Sequence, residues 1–175
     1  MPILTMGIDQ SLSCTGVVLT EKDDNGARTV VYSDSITTEK DPSLSPLADT
    51  LVRSKYIADK LLDIEKYWQP DYVALENLSY GSVGNATRNL AILFGVICTT
   101  LGLNNPHVVP PTTLKKFATG NGRATKKEML DAIKREDSVF HQHLTNNVTI
   151  KAGRYDLADA FWISKWIENE NSKKP

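Results

Sequence analysis

Apolar and polar positions fall in blocks along the chain, and the period within each block predicts an element. Ile3 to Asp9 reads as a strand closed by Asp9-Gln10-Ser11, and Cys14 to Thr20 is a second apolar, β-rich run. Asp23-Asp24-Asn25-Gly26 is a turn signal leading to a third strand, Thr29 to Ser35. Three strands joined by short turns predict an antiparallel meander. Residues 38–46 are polar and contain proline, which predicts a loop. Ser45-Pro46 has the form of a helix start: an oxygen to cap the first free N–H groups, then a proline that needs no partner. Leu47, Leu51, Ala58, Leu61 and Leu62 recur at helical spacing up to Tyr67, and Gln69-Pro70 ends the run. Tyr72 to Glu76 is short, and its unbroken Val73-Ala74-Leu75 is the pattern of a strand covered on both faces.

After a loop with Gly81 and Gly84, residues 86–101 predict a helix that is apolar on more than one face. Such a helix is either deeply buried or shared between core and a dimer interface. Val108-Val109 predicts a short strand stopped by Pro110-Pro111, and Thr112 to Ala118 a helical turn or two. Gly120-Asn121-Gly122 reads as a mobile loop. Thr125-Lys126-Lys127-Glu128 is a capping box, in which the first and last side chains satisfy each other's backbone N–H, and it starts a helix through Arg135. Asp137 to Ala152 reads as irregular and polar, and a last helix is predicted from Arg154 to Glu168. The order βββαβαβαα predicts an α/β domain: a mixed five-stranded sheet, part meander and part parallel, flanked by helices. Residues 1–168 are expected to form one domain, and the polar tail 169–175 is expected to fray.

Composition narrows the class. The 175 residues are 41% hydrophobic and 23% charged, ordinary for a soluble globular domain. No segment reaches the roughly 20 apolar residues of a membrane span; Leu90 to Leu103 is shorter and holds Gly95 and Gly102. The first residues lack the basic-then-apolar order of a secretory signal. Cys14 and Cys98 lie in apolar runs and read as buried thiols rather than a disulfide, which predicts a reducing cytoplasm. The net charge of −1 hides an asymmetry: residues 1–100 carry −5 and residues 101–175 carry +4.

Four acids attract attention as a set. Asp9 and Glu76 each end an apolar strand, at an edge where α/β sites form. Asp156 and Asp159 lie three apart near a helix start and so share a face. Singly, each has a plainer reading: a turn former, a solvated acid, or two acids at the positive end of a helix dipole. Together they would repel one another unless cations were present, and oxygen-only ligands select hard cations such as Mg²⁺ or Mn²⁺. Two divalent ions would balance the four charges and could stabilise both the attacking and the leaving oxygen of a phosphodiester.

Met6-Gly7-Ile8-Asp9-Gln10-Ser11 with Thr15-Gly16-Val17 resembles the opening of the RuvC Holliday-junction resolvases, a branch of the RNase H-like superfamily. Ala74-Leu75-Glu76-Asn77 is similar to their second acidic motif, and Leu90 to Ile97 to the helix that follows it. Leu114-Lys115-Lys116 through Gly120 and Gly122 to Lys126-Lys127 is similar to their basic DNA-contacting segment, and Tyr155-Asp156-Leu157-Ala158-Asp159-Ala160 to their closing helix. The resemblance spans nearly the whole chain in order. It implies an RNase H-like fold and divalent metal, two Mg²⁺ per site with Mn²⁺ as a substitute, on Asp9, Glu76, Asp156 and Asp159. It also implies a homodimer that cuts two opposed strands of a four-way junction. The family's aromatic after the second acid has its nearest counterpart in Tyr80, one position late, as a junction wedge or a tyrosine packed on its own domain. The short form with its Ile-Asp-Gln-Ser turn looks more like phage-encoded relatives, which would place it in the host cytoplasm.

From Lys115 to Arg135 the chain carries seven basic residues against Glu128 and Asp131. A charge run is commonly a solvated helix face. Lys126 and Lys127, however, sit in a first helical turn, where the dipole disfavours cations and free N–H groups favour phosphate. Lys115, Lys116, Arg123, Lys126 and Lys127 are therefore candidate phosphate contacts, and Lys151 and Arg154 are candidates for the scissile phosphate or plain surface charges. His107, His141 and His143 lie away from the acidic motifs. The leading expectation is a metal-dependent, structure-selective DNA endonuclease leaving 5′-phosphate and 3′-hydroxyl ends. The alternatives are an RNase H-like nuclease on other branched DNA, RNA or hybrids, a catalytically dead binding protein of the same fold, and a nucleotide-binding module of the actin and sugar-kinase type.

Overall fold

The computed structural model describes residues 1–78 and 84–172. β1 (Ile3–Asp9) turns into β2 (Cys14–Lys22), and β2 into β3 (Arg28–Thr37). The second turn lies on its sequence signal: Gly26 takes φ 85°, and Asp23 Oδ1 accepts from the N–H groups of Asn25 and Ala27 at 2.9 and 2.8 Å. Then come α1 (Pro46–Trp68), β4 (Tyr72–Glu76), α2 (Asn85–Thr100) and β5 (His107–Val109). The chain closes with α3 (Pro111–Thr119), α4 (Lys126–Glu136), α5 (Ser138–Asn147) and α6 (Arg154–Ser172).

The strands lie in the order β3-β2-β1-β4-β5. β1 is antiparallel to β2 and parallel to β4, and β4 is parallel to β5, so the meander and the parallel additions share one sheet. Because side chains alternate along a strand, each face has its own core. Met6, Ile8, Val17, Leu19, Val73 and Leu75 pack against Ile57, Ala58 and Leu61 of α1 and Leu93 and Ile97 of α2. On the other face Val18, Ala74 and Val109 meet Leu114, Met129, Ile133, Leu144, Leu157 and Phe161 from α3 to α6. Each large side chain removed from water contributes roughly 1.5–3 kcal/mol.

Local signals set several helix ends. Ser45 Oγ accepts from the Ala48 N–H at 3.3 Å, and α1 stops at Gln69, whose φ of 49° turns the chain toward Pro70. Thr125 and Glu128 make both halves of the capping box.

Four expectations are corrected. Residues 138–147, read as irregular, form α5: Asp137 Oδ1 caps the Phe140 N–H at 2.8 Å, and Phe140 and Leu144, one turn apart, are buried. Two apolar anchors in a polar run were too weak a period. With α5, and with residues 111–119 forming the full helix α3 instead of a turn or two, the chain ends on four helices where the element order predicted two. Its last helix runs to Ser172, past the expected start of the frayed tail, because Glu168 is 2% exposed and held by two hydrogen bonds from Arg28 Nε and one from its Nη2, at 2.7–2.9 Å. Cys14 and Cys98 are free thiols as expected, but each is partly exposed. Among the described residues no helix is long and apolar enough to cross a membrane.

Candidate active site

The site begins with strand register. Ile8 pairs with Leu75 in the parallel β1–β4 ladder, so Asp9 and Glu76, the next residues, end neighbouring strands side by side. Gln10 closes this edge: its side-chain N–H donates to the Glu76 carbonyl at 2.6 Å. Asp9 and Glu76 share the parity of Gly7 and Ala74 and therefore face α6.

Two glycines bring α6 onto that face. A Cβ on Gly7 would lie 2.1 Å from the Ala160 carbonyl oxygen and 2.4 Å from the Ser164 nitrogen. One on Gly16 would lie 2.4 Å from the Asp156 carbonyl oxygen. Gly16 is the cross-strand partner of Asp9, so the helix start that carries Asp156 is seated beside Asp9. Asp159, almost one turn on, presents to the same side. Beneath the helix a hydroxyl chain fixes its rise: Thr5 Oγ1 and Thr20 Oγ1 are 2.9 Å apart, Thr20 donates to Ser164 Oγ at 3.2 Å, and Ser164 donates to the Phe161 carbonyl at 2.8 Å. The four predicted acids are thus brought together from β1, β4 and α6.

Their electrostatics show the cost of that convergence. Burial, then the charges of Asp159, Glu76 and Asp156, hold the Asp9 carboxyl well above the usual carboxylate range. Burial pushes Asp159 up to about 7; Lys126 opposes the rise, and Glu76 and Asp156 add to it. Glu76 is also raised by burial, although a hydrogen bond with Asp9 and the charges of Lys126 and Lys115 pull it back. Both effects favour the neutral acid over the buried anion.

Lys126 answers part of this charge. Its Nζ stands 3.7 Å from Asp156 Oδ1 and 4.0 Å from Asp159 Oδ2. Burial pulls its ammonium down, but the four carboxylates outweigh burial and raise it. From its pattern alone Lys126 reads only as a phosphate contact; its place beside the acids depends on how α4 packs, which no local pattern encodes. Lys115 is partly buried, and its charge reaches Glu76 and Asp159. Lys116, Arg123 and Lys151 are exposed. Lys127 is exposed and paired with Asp131 at 2.6 Å, one turn along α4. Arg154 points elsewhere: it donates to the carbonyls of Val148 and Thr145 at 2.7 and 3.1 Å, tying down the end of α5. Tyr80 lies outside the described residues.

Gln10 also went unassigned in the sequence. Its Oε1 is buried without a hydrogen-bond partner, next to the acids. Cys14 is a second neighbour: burial pushes its thiol up to about 11, and Asp156 adds to the rise.

The donor set fits a hard divalent cation. It is all oxygen, it is partly desolvated, and three of its members, Asp9, Glu76 and Asp159, are driven toward protonation, first of all by burial. Among the described residues no three His, Cys, Asp or Glu side chains stand close enough to cage an ion; Asp9 and Glu76 share a hydrogen bond, and Lys126 lies against Asp156 and Asp159.

A family model described as "Crossover junction endodeoxyribonuclease RuvC" matches residues 5–160. The protein of that name from Neorickettsia sennetsu is 30% identical over 171 residues, covering 91% of this chain and 98% of its own. The one from Corynebacterium efficiens is 30% identical over 132 residues, where this chain spans 56% of its length. Among solved structures, Thermus thermophilus RuvC in complex with a Holliday junction substrate superimposes with a TM-score of 0.73 at 16% identity, covering 99% of both chains. The yeast mitochondrial Holliday junction resolvase Ydc2 gives 0.64 at 11%, covering 96% of this chain and 80% of its own. The sheet and its flanking helices therefore form an RNase H-like fold, and the chain belongs to the RuvC family of crossover junction endodeoxyribonucleases.

Proposed function

We infer that the chain resolves four-way DNA junctions by paired phosphodiester hydrolysis, using a divalent cation held by Asp9, Glu76, Asp156 and Asp159. The observation that carries this reading is the meeting of four acids from three elements at one sheet edge, with three of them, Asp9, Glu76 and Asp159, pushed toward neutrality first by burial. When bound, a divalent cation supplies Lewis acidity at the phosphate and makes water easier to ionise.

The chain's own residues do the rest. Asp9 is flanked by Glu76 on one side and by the Asp156 end of α6 on the other, so it would hold Mg²⁺ or Mn²⁺ together with either neighbour. Gln10 holds the Glu76 backbone in place. Lys126, which faces Asp156 and Asp159, would offset their charge and offer its ammonium to a phosphate oxygen. Attack by water on phosphorus with departure of the 3′-oxygen leaves a 5′-phosphate and a 3′-hydroxyl. Lys115, Lys116, Arg123, Lys127 and Lys151 would contact backbone phosphates, which sets affinity and register without reading sequence; Arg154 braces α5.

Cutting two opposed strands calls for two such sites, hence a homodimer acting on DNA in the cytoplasm. α2 exposes Ala91, Gly95 and Thr99, four residues apart in turn, and nothing stands within 4 Å of a Cβ on Gly95. A stripe of small residues lets a second helix approach closely. Cleavage of a four-way junction, a flap and an RNA–DNA hybrid in Mg²⁺ tests the substrate reading. The junction should be cut fastest, in paired positions; preferential cutting of the hybrid would reject it.

A further inference from the structure

α4 and α6 lie side by side and run the same way, linked by apolar packing and by three polar contacts in order. Lys126, at the start of α4, faces Asp156 and Asp159. Midway, Trp162 Nε1 donates to the Met129 carbonyl at 2.9 Å. At the far end Glu136 pairs with Lys165. The first contact is loose, since the Lys126 side chain is 57% exposed and its nearest carboxylate oxygen is 3.7 Å away. The other two rest on buried side chains of α6, with Trp162 3% exposed and Lys165 7%, although the Glu136 side chain is itself 41% exposed.

A lysine ammonium rides on a flexible four-carbon stem, so its average position is set by the helix that carries it. Lys165 is a different case. Its ammonium lies over the rings of Phe161 and Trp162, 5.7 and 6.0 Å from their centres, with the Glu136 carboxylate beside it. A buried charge tolerates few geometries, because its desolvation is offset only while its partners stay in place. The Glu136–Lys165 pair therefore resists sliding or rolling of α4 on α6 in a way that Lys126 does not.

We propose that this pair, with the Trp162–Met129 hydrogen bond, is a positioning device for the active site: it locks α4 against α6 and so holds Lys126 over Asp156 and Asp159. Glu136 and Lys165 touch neither the acids nor the substrate and act only through Lys126. The proposal rests on the reading of Lys126 as a member of the site.

The test is single-turnover cleavage of a synthetic four-way junction at saturating Mg²⁺, with junction affinity measured alongside. The proteins are the parent, Lys126→Ala, Lys165→Met and the double variant. Lys165→Met keeps an apolar stem on the two rings and leaves the partly exposed Glu136 to water, so the fold survives; Glu136→Gln breaks the pair from the other side. Lys165→Met should slow cleavage roughly tenfold, as displacement of a reacting geometry does, with junction affinity unchanged and Glu136→Gln acting in the same direction. In the Lys126→Ala background the same change should add less than about twofold, the mark of two residues in one unit. Amine labelling followed by peptide mass spectrometry should find Lys126 modified faster in Lys165→Met than in the parent. Equal slowing in both backgrounds, or unchanged Lys126 labelling, would overturn the proposal. A Lys126→Ala protein that cuts at the parent rate would instead remove the role of Lys126 itself.

Discussion

Asp159 shows most directly what the site costs the fold. Its carboxyl is raised from an ordinary 3.8 to about 7, burial being the main cause, and Asp9 and Glu76 are raised with it. The folded state therefore holds these protons more tightly than the unfolded chain. The resulting stability is fully present below the unfolded value near 4 and is lost as pH rises through the folded value near 7. Without metal, the melting temperature should fall across that window because of these groups, and Asp159→Asn should flatten the fall. If the ionised acids are the ligands of Mg²⁺, as proposed, Mg²⁺ should raise the melting temperature more at about pH 8 than at about pH 5. Thermal melts at both pH values, with and without Mg²⁺, check this; an equal Mg²⁺ shift at both would count against the acids as its ligands.

The helix that carries the last two acids is placed by what two glycines lack. A methyl group on Gly16 would collide with the Asp156 backbone, and one on Gly7 with Ala160 and Ser164. Overpacking of this kind typically costs 1–3 kcal/mol. Gly16→Ala should therefore lower stability by about that much and, because the shift falls on Asp156, also raise the Mg²⁺ concentration needed for half-maximal cleavage. Gly7→Ala, seated under Ala160 and Ser164, should act mainly on stability. Denaturant melts and Mg²⁺ titrations of both variants separate the two effects.

These glycines also mark how far the sequence could be read. The strands, α1 with its Ser45-Pro46 start, the capped α4 and all four acids stood out, because each depends on local period, capping chemistry or motif spacing. What escaped depends on tertiary packing. α5 has only Phe140 and Leu144 as anchors, Lys126 reaches the acids only through the α4–α6 contact, and Gln10 gains its role only when β1 and β4 lie side by side.

The whole chain carries a net charge of −1, yet the charge is sorted in space. Acids gather at the carboxyl ends of β1 and β4 and the start of α6, while Lys115, Lys116, Arg123, Lys126 and Lys127 occupy α3, α4 and the segment between them. A bound cation pair would cancel the acids and leave the surface around them basic, which lets a nearly neutral protein approach a polyanion. The central claim is that the four acids form one metal-dependent cutting centre for branched DNA, and Asp9, the most buried of them, is its sharpest probe. The decisive measurement is cleavage of a strand-labelled four-way junction in Mg²⁺ by the parent and by Asp9→Asn, with junction binding followed in the same samples. The parent should nick two opposed strands, leaving 5′-phosphate and 3′-hydroxyl ends, and Asp9→Asn should bind the junction with parental affinity and leave it uncut. Cutting by Asp9→Asn at the parental rate would contradict the account.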